Sequence, residues 1–460
     1  MPAQTLNPSL KDSIAAQLSP KALVVDPEAI KAYCTDASGL NFMPEMVVRA
    51  QTVADIQALL RMANLHRFPV IPRGGGSGLA GACLADQGGV VLSLEDLNRI
   101  RLIDRDNFLM EVEAGAISQR VREAAWEAGM FYPPDPAGMD LSTIGGNAAT
   151  DAGGPACVKY GTTRDYILGL EAVLPCGECV RTGVRTRKGV VGYDLTNLLV
   201  GSEGTLGVIT ALLLKLLPKP AAVQTLLCAF PSITSAMENV AAIMAAGHLP
   251  CAIEVMDHRC LSLVGELLPF TMPAGKPSLL ILELDGAAIP IAEEMECIRQ
   301  LVLSGGAIGT LPAGDAGQRA SIWNVRRQVS LRIHDYAALY LSEDVTVPIS
   351  AIASLVNALP RYEEQYQLEI FAFGHAGDGN IHLNITTQDR ALEAQAHAGV
   401  RALLGLVLEL GGTISGEHGI GLAKKPYIAM ELSEQMLDLQ RSIKALFDPN
   451  QILNPGKIFP

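Results

Sequence analysis

The chain has 460 residues, 49% of them hydrophobic and 18% charged, with a formal net charge of −13. That length predicts two or three domains, and the apolar fraction excludes global disorder. The acidic balance argues against a nucleic-acid backbone as partner, which would call for a basic face.

The N-terminal MPAQTLNPSLKDS has no apolar stretch of the kind a signal peptide needs. Apolar runs such as Ala211 to Leu214 are soon interrupted by Lys215, Pro218 and Pro220, far short of the ~20 residues of a membrane helix. A cytoplasmic protein is expected, with peripheral membrane contact left open. Residues 1–41 read as a helical lead-in. Val53, Ile56, Leu59 and Leu60 recur at helical spacing after Thr52, which is placed to cap an amphipathic helix reaching Leu65. Phe68-Pro-Val-Ile-Pro72 predicts a short buried strand, as do Val90–Leu94 and Met110–Val112, and residues 118–128 predict a helix. Residues 134–161 are too rich in Gly, Pro, Asp and Thr for regular structure, and a loop of that length is usually functional. Strands resume at 167–174 and 205–216, and Pro218-Lys-Pro220 marks the domain boundary. Beyond it strands and helices alternate (224–230, 233–246, 279–284, 291–303), as in a sheet covered on one face.

Nine cysteines in a long chain do not suggest a disulfide framework. The one CxxC, Cys176-Gly-Glu-Cys179, lies in a strand–turn–strand pattern and is read as a hairpin rather than a redox pair. No four-cysteine cluster spacing occurs, so an iron–sulfur centre would have to sit on a partner.

Gly76-Ser-Gly-Leu-Ala-Gly81 satisfies GxGxxG, with Glu95 and Asp96 near the acidic position of a dinucleotide-binding βαβ unit. The context excludes that reading. Only residues 82–89 separate the last glycine from the next strand, whereas a parallel crossover takes a dozen residues or more. What survives is an anion nest over Pro72, Arg73, Gly74, Gly75, Gly76, Ser77 and Gly78. Its glycines let N–H groups approach a phosphate closely, and Arg73 can add a charge. Two further segments combine glycines with small polar donors. One runs from Pro134-Asp135 through Ser142, Thr143, Gly145, Gly146, Asn147 and Ala149 to Gly153, Gly154 and Lys159-Tyr-Gly161. The other contains Glu203, Gly204, Gly207, Val208 and Ile209. A flat cofactor threaded along backbone would want such a lining.

PRGGGSGLAGA, PPDP…STIGGN…KYG and GSEGTLGVIT, in this order, resemble the vanillyl-alcohol oxidase type of FAD-binding domain over residues 42–220. The resemblance implies FAD lying along these three segments with its pyrophosphate on residues 73–78. Some relatives attach the flavin through His or Cys. Residues 73–81 contain neither, so the FAD is expected to be non-covalent, with Cys157 the exception to check.

Glu369 to Ile385 reads as strand, glycine-rich turn, strand, placing His375 and His382 across a hairpin, close enough to share a metal ion. Glu417-His418 follows between glycines, and in an extended loop these two side chains would point opposite ways, one toward a metal and one toward substrate. A buried polar network without metal is the alternative, and metal is preferred because two His and one carboxylate form a common open-site set. His66, His248, His258 and His334 have no partner in view. GHAGDGNIH, SGEHGIG and the closing FDPNQILNPGK resemble the FAD-linked D-lactate, glycolate and D-2-hydroxyglutarate dehydrogenases. By that resemblance His375, His382 and Glu417 bind a divalent metal (zinc, with manganese or iron open), and His418 is the catalytic base. Asn384 and Trp323-Asn-Val-Arg326 meet the substrate, Arg326 clamping its carboxylate, and Asn454 returns to the flavin.

The fold expected is α+β: a vanillyl-alcohol-oxidase-type FAD domain (42–220), an α+β, ferredoxin-like substrate domain (221–440), and a C-terminal segment (441–460) returning to the first. The activity implied is oxidation of a D-2-hydroxy acid, D-lactate foremost, by hydride transfer to FAD. The electrons then pass to a quinone, an electron-transferring flavoprotein or an iron–sulfur subunit. A homodimer is compatible. Relatives that take hydroxyglutarate are expected to carry a lysine where Ser342 stands, which counts against a dicarboxylate. The flavin subunit of a glycolate oxidase, a D-2-hydroxyglutarate dehydrogenase and an NADPH-using flavin reductase stay open as alternatives.

Overall fold

Thr52 accepts a hydrogen bond from the N–H of Asp55, and the Asp55 carboxylate accepts one from the N–H of Thr52, a capping box that opens the first long helix. Local rules of this kind set most element ends in the computed structural model, which describes residues 6–268 and 272–460. Residues 1–5 of the expected lead-in lie outside them. The chain divides into two compact units, residues 1–153, 162–219 and 417–460, and residues 154–161 and 220–416.

The first unit begins with α1 (Pro8–Ala15), β1 (Leu23–Val24) and α2 (Pro27–Lys31), so the lead-in is helical with one short strand. Next come β2 (Met46–Arg49), α3 (Val53–His66), β3 (Val70–Arg73) and β4 (Val90–Ser93). They form a sheet in the order β1-β2-β4-β3, with β4 parallel to both neighbours. Val47, Ile71 and Val91 are buried in it beside Tyr33. β5 (Ile100–Asp104), β6 (Leu109–Glu113), β8 (Ile167–Val173), β9 (Cys179–Gly183) and β10 (Val208–Lys215) make an antiparallel sheet in the order β5-β6-β10-β8-β9. α4 (Ser118–Glu127) leads into β7 (Met130–Phe131), which pairs with β11 (Leu217–Pro218).

Three expectations are corrected here. β5 is a strand that the sequence pattern did not announce. Residues 205–207 precede β10 rather than belong to it. The stretch 134–161 is not irregular throughout, because it contains α5 (Ile144–Thr150) and α6 (Cys157–Tyr160). α5 forms despite two glycines because Thr143 caps it, accepting the N–H of Gly146 at 3.2 Å. Gly145 is required there, since a Cβ would lie 2.5 Å from the Cβ of Ala114. α7 (Leu195–Leu199) precedes β10.

The second unit is built on one antiparallel sheet, in the order β15-β12-β14-β13-β17-β18-β16. Its strands are β12 (Ala222–Phe230), β13 (Ala252–Met256), β14 (Ser278–Gly286), β15 (Gly309–Pro312), β16 (Leu339–Thr346), β17 (Glu369–His375) and β18 (Asn380–Thr387). With α8 (Ile233–Ala245) and α10 (Ala288–Ser304), strands β12 to β15 give the β15-β12-β14-β13 order of a ferredoxin-like βαββαβ unit. α9 (His258–Val264) and α11 (Ala316–Tyr336) pack on one face through Met256, Ile281, Val325, Val329 and Phe373. α12 (Ile352–Tyr366) and α13 (Glu393–Glu409) accompany the added strands. α6 belongs to this unit: Lys159 donates to the Asp285 main-chain carbonyl at 2.9 Å and Tyr160 to its carboxylate at 2.7 Å.

The chain re-enters the first unit at Glu417, earlier than the expected 441, and adds α14 (Ile428–Glu431) and α15 (Glu434–Phe447). Among the described residues no helix is long and apolar enough to cross a membrane.

Candidate active site

The three glycine-rich segments converge in the first unit on one cleft that is partly open to solvent. Pro72, Arg73, Gly74, Gly76, Ser77 and Gly78 line one side of it. Ser142, Gly145, Gly146, Asn147, Ala149 and Gly153 line another, and Glu203, Gly204, Gly207, Val208 and Ile209 complete it. Gly75 is absent from the lining because it packs on the second segment, where a Cβ would come 1.9 Å from the Leu141 carbonyl oxygen. Gly76 has φ +70°, a conformation costly for other residues. Among the described residues none accepts a hydrogen bond from the N–H groups of Gly74 to Gly78. A phosphate is the kind of acceptor such a row of free donors suits.

Arg73 lines the cleft with its guanidinium held in place. Its guanidinium donates to the carbonyls of Ala32 at 3.1 Å and Thr35 at 2.9 Å, and to Cys83 Sγ at 3.3 Å, so it anchors the loop from below. Thr143 caps α5, and the Pro134 carbonyl accepts from Arg122 at 2.7 Å; neither residue, nor Asp135, is in the cleft wall. Gly154 and Gly161 fall in the second unit. Asn454 lies behind the wall, donating to the carbonyls of Glu203 at 2.7 Å and Ala82 at 3.0 Å, with φ +47°.

Glu417 and His418 line this same cleft. Their loop is tied to the glycine segments: Glu203 accepts the N–H groups of Ile420 and Gly421, both at 2.8 Å, and the Ala80 carbonyl accepts that of Leu422 at 2.7 Å. Burial pushes the Glu203 carboxyl pKa up, although these two N–H groups favour its charged form. The expected opposition of Glu417 and His418 is corrected, since each offers a ligand atom within 4.8 Å of the other.

In the second unit, β16, β17 and β18 place polar side chains deep in the sheet. The register pairs His382 with Phe373 on one side and Asp344 on the other, while His375 pairs with Asn380. The two histidines are therefore diagonal neighbours rather than directly opposite, with ring centroids 5.3 Å apart. Asp344 is fully buried, and its carboxylate lies within 4.8 Å of a His382 ring nitrogen. It accepts from Asn380 Nδ2 at 2.5 Å and from the Gly416 N–H at 2.9 Å. Asp344 and His382 belong to a group of imidazole and carboxylate ligand atoms that fits a divalent transition metal, and the predicted ligand His375 is not among its members.

Glu254, at 0% exposure, bridges two of the residues singled out from sequence. It accepts from Arg326 Nε at 2.6 Å and, through its other oxygen, contacts His375 Nδ1. Burial alone would raise its pKa, but the His375 ring and the Arg326 guanidinium overcome this and hold it down at about 2. Asn384 is 1% exposed; its Oδ1 accepts from the Tyr340 hydroxyl at 2.6 Å, and its Nδ2 has no partner among the described residues. Trp323 is not aimed at this group, because its indole N–H donates to Glu283 at 2.8 Å. Sequence reading passed over Glu254 and Asp344. For Glu254 the signal available was an acid in the middle of an otherwise apolar strand, Ala252-Ile-Glu-Val-Met256.

A glycine-lined cleft of this kind suits a cofactor that carries phosphate, and the likeness to known proteins makes the class that of FAD-linked oxidoreductases. Residues 44–183 match the family model described as FAD binding domain, and residues 219–458 match FAD linked oxidases, C-terminal domain. The chain belongs to this family of FAD-linked oxidases. It is 38% identical to the glycolate oxidase subunit GlcD of Bacillus subtilis, covering 91% of this chain and 89% of that one. It is 34% identical to the D-lactate dehydrogenase of Anaerostipes hadrus (96% and 95% covered), and 35% identical to the D-2-hydroxyglutarate dehydrogenase of Xanthomonas citri (90% and 89%). Among solved structures, p-cresol methylhydroxylase superposes with a TM-score of 0.80 at 18% identity, over 99% of this chain and 98% of that one. The 4-ethylphenol oxidase of Gulosibacter chungangensis gives 0.77 at 18%, over 100% and 99%. At these identities the likeness establishes the fold, which is of the vanillyl-alcohol-oxidase type.

Proposed function

We propose that the chain is a dehydrogenase of small D-2-hydroxy acids, D-lactate foremost, producing the 2-oxo acid. The observation that carries this reading is the buried polar set Glu254, Asp344, His375, His382 and Asn384 on neighbouring strands of the second unit, joined by the partly buried Arg326 from one helix. Packing alone does not favour so many desolvated polar groups. The names of the relatives point the same way, covering D-lactate, glycolate and D-2-hydroxyglutarate. FAD, non-covalently held in the glycine-lined cleft, supplies the hydride acceptor. A divalent ion, zinc or else manganese or iron, held by His375, His382 and Glu417, with Asp344 a fourth candidate, would make the 2-hydroxyl more acidic.

Arg326 receives the C1 carboxylate on the guanidinium edge that Glu254 does not use. Asn384 offers its Nδ2 hydrogens to the same substrate. His418, carried on the cleft wall, takes the proton of the 2-hydroxyl. Ser342, which pairs in register with Asn384, provides no cation for a distal carboxylate, and this favours a monocarboxylate over hydroxyglutarate. A flavin subunit of a glycolate oxidase is the second reading, supported by the relative at 38% identity. An NADPH-using reductase would leave the histidine–carboxylate set without a role. Cys157 Sγ accepts the Gly154 N–H at 3.2 Å, which fits a thiol not bonded to flavin. The partner that would reoxidise a flavin bound there is a quinone, an electron-transferring flavoprotein or an iron–sulfur subunit.

The test is anaerobic bleaching of the bound flavin. D-lactate is expected to bleach it faster than L-lactate, and glycolate is the comparison for the second reading. One carboxylate clamp and one base on fixed sides of C2 cannot serve both enantiomers equally. Equal rates for the two, or bleaching by NADPH alone, would overturn the proposal.

A further inference from the structure

Glu254 sits in the middle of β13 between Ile253 and Val255, which are 1% and 2% exposed. A carboxylate there is stranded unless other groups compensate it. Two groups do, and they come from different elements. The antiparallel register sets Glu254 directly beside His375, so the Oε1 contact to Nδ1 follows from strand pairing. Arg326 descends from α11, stacks its guanidinium on the Phe373 ring at 4.2 Å, and donates Nε to Oε2 at 2.6 Å.

Each contact has a consequence for the atoms left over. A carboxylate on Nδ1 favours the tautomer with its proton there, which makes Nε2 the ring nitrogen that carries the lone pair a ligand needs. Using Nε for Glu254 leaves the two terminal amino groups of Arg326, the edge that can bind a second carboxylate in bidentate fashion. No described acceptor takes a hydrogen bond from either amino group.

We propose that Glu254 is a positioning residue that braces the metal-binding imidazole of His375 and the substrate clamp Arg326 from one buried carboxylate. This deepens the proposed function and rests on it. The two oxygens divide the labour, so loss of the carboxylate is felt at two separate readouts. A purely structural ion pair predicts a loss of thermal stability and no change at either readout.

The experiment uses the full-length holoprotein. Glu254→Gln keeps the shape but not the charge or the second acceptor. Metal affinity, read by competition with a chelator of known affinity, is expected to fall about 10–100-fold, the usual effect of losing a carboxylate behind a ligating histidine. FAD content should stay at the wild-type level. With metal restored to saturation, KM for D-lactate should stay raised several-fold while kcat recovers, since Arg326 remains unbraced. In a His375→Ala background, Glu254→Gln should weaken metal binding no further, because its route to the ion is gone. Glu254→Asp retains the buried charge but not the reach, and should show both effects at smaller amplitude if Glu254→Gln does not fold. Wild-type metal affinity and KM in whichever variant folds would overturn the proposal and leave Glu254 a structural ion pair. Wild-type protein that holds no metal and is not reduced by any D-2-hydroxy acid would instead overturn the functional reading beneath it.

Discussion

Gly75→Ala tests the cleft most directly. A Cβ at this position would lie 1.9 Å from the Leu141 carbonyl oxygen and 2.9 Å from its carbon, where 3.0 Å is already the floor for real contacts. One of the two segments must therefore retreat by about 1 Å. Neither is free to do so without loss. The N–H groups of Leu141 and Ser142 donate to the Gly138 carbonyl, and the Ser142 carbonyl accepts the N–H of Ser118 at 2.9 Å. Overpacking of this kind costs about 1–3 kcal/mol. If that cost falls on the FAD-competent arrangement, affinity drops by about 5- to 150-fold at 1.4 kcal/mol per tenfold. Gly74→Ala should be milder, since it meets the Thr143 hydroxyl, which can rotate away at the cost of the α5 cap, about 1 kcal/mol. Gly78→Ala meets nothing within 4 Å and should leave the apoprotein as stable as wild type. Titration of apoprotein with FAD by fluorescence quenching, with thermal unfolding alongside, ranks the three. Gly75→Ala with wild-type FAD affinity and unchanged apoprotein stability would refute the reasoning.

Two further predictions follow from single residues. Burial lifts the Asp257 carboxyl to about 6, although it accepts the Cys260 N–H at the start of α9. The folded state then holds that proton more tightly than the unfolded chain. This contribution is full below the ordinary value of 3.8 and is lost as pH rises through about 6. Asp257→Asn keeps an equally good cap, so calorimetry should find its stability falling less than wild type between pH 4 and 7, and an unchanged slope would count against the assignment. In the Glu417-His418 pair, His418→Ala should slow flavin reduction by ~10²–10⁴ while metal content holds, whereas Glu417→Ala should lose metal first. The reverse pattern in metal analysis and stopped-flow bleaching would exchange their roles.

The fold was legible in the sequence where local rules decide it. Thr52 announced its helix, and Cys176-Gly-Glu-Cys179 announced the β8–β9 hairpin, whose two cysteines are free and exposed. What escaped depends on contacts distant in sequence. Ile144-Gly-Gly-Asn-Ala-Ala-Thr150 has poor intrinsic helix propensity and is helical because Gly145 fits closely against Ala114 and the Thr143 cap holds its first turn. β5 has a half-exposed pattern, with Arg101 and Leu102 outward, and only its partner β6 makes it a strand. The re-entry at Glu417 falls in a glycine-rich loop that the sequence pattern marks as a ligand site rather than a domain junction; it shows in the hydrogen bonds from Ile420 and Gly421 to Glu203.

The candidate site was legible through its histidines, because glycines around His375 and His382 announce a tight turn between two strands. Its buried acids were not. In Ala252-Ile-Glu-Val-Met256 the alternation sets Glu254 on the same face as Met256, and an acid in such a row ordinarily marks the solvent side. That face is instead covered by α11, so the charge is buried and needs partners. The helix brings them at a spacing of three, which puts Trp323 and Arg326 on one side of it. Trp323 reaches Glu283 on β14, and Arg326 reaches Glu254 on the adjoining β13. The W-x-x-R pattern is thus first a pair of pins that dock α11 on two neighbouring strands. Only Arg326 has donors to spare for anything else, since the single N–H of the indole is already used. That difference in donor number, one against five, separates the residue that can clamp a carboxylate from the one that only fixes where the clamp stands.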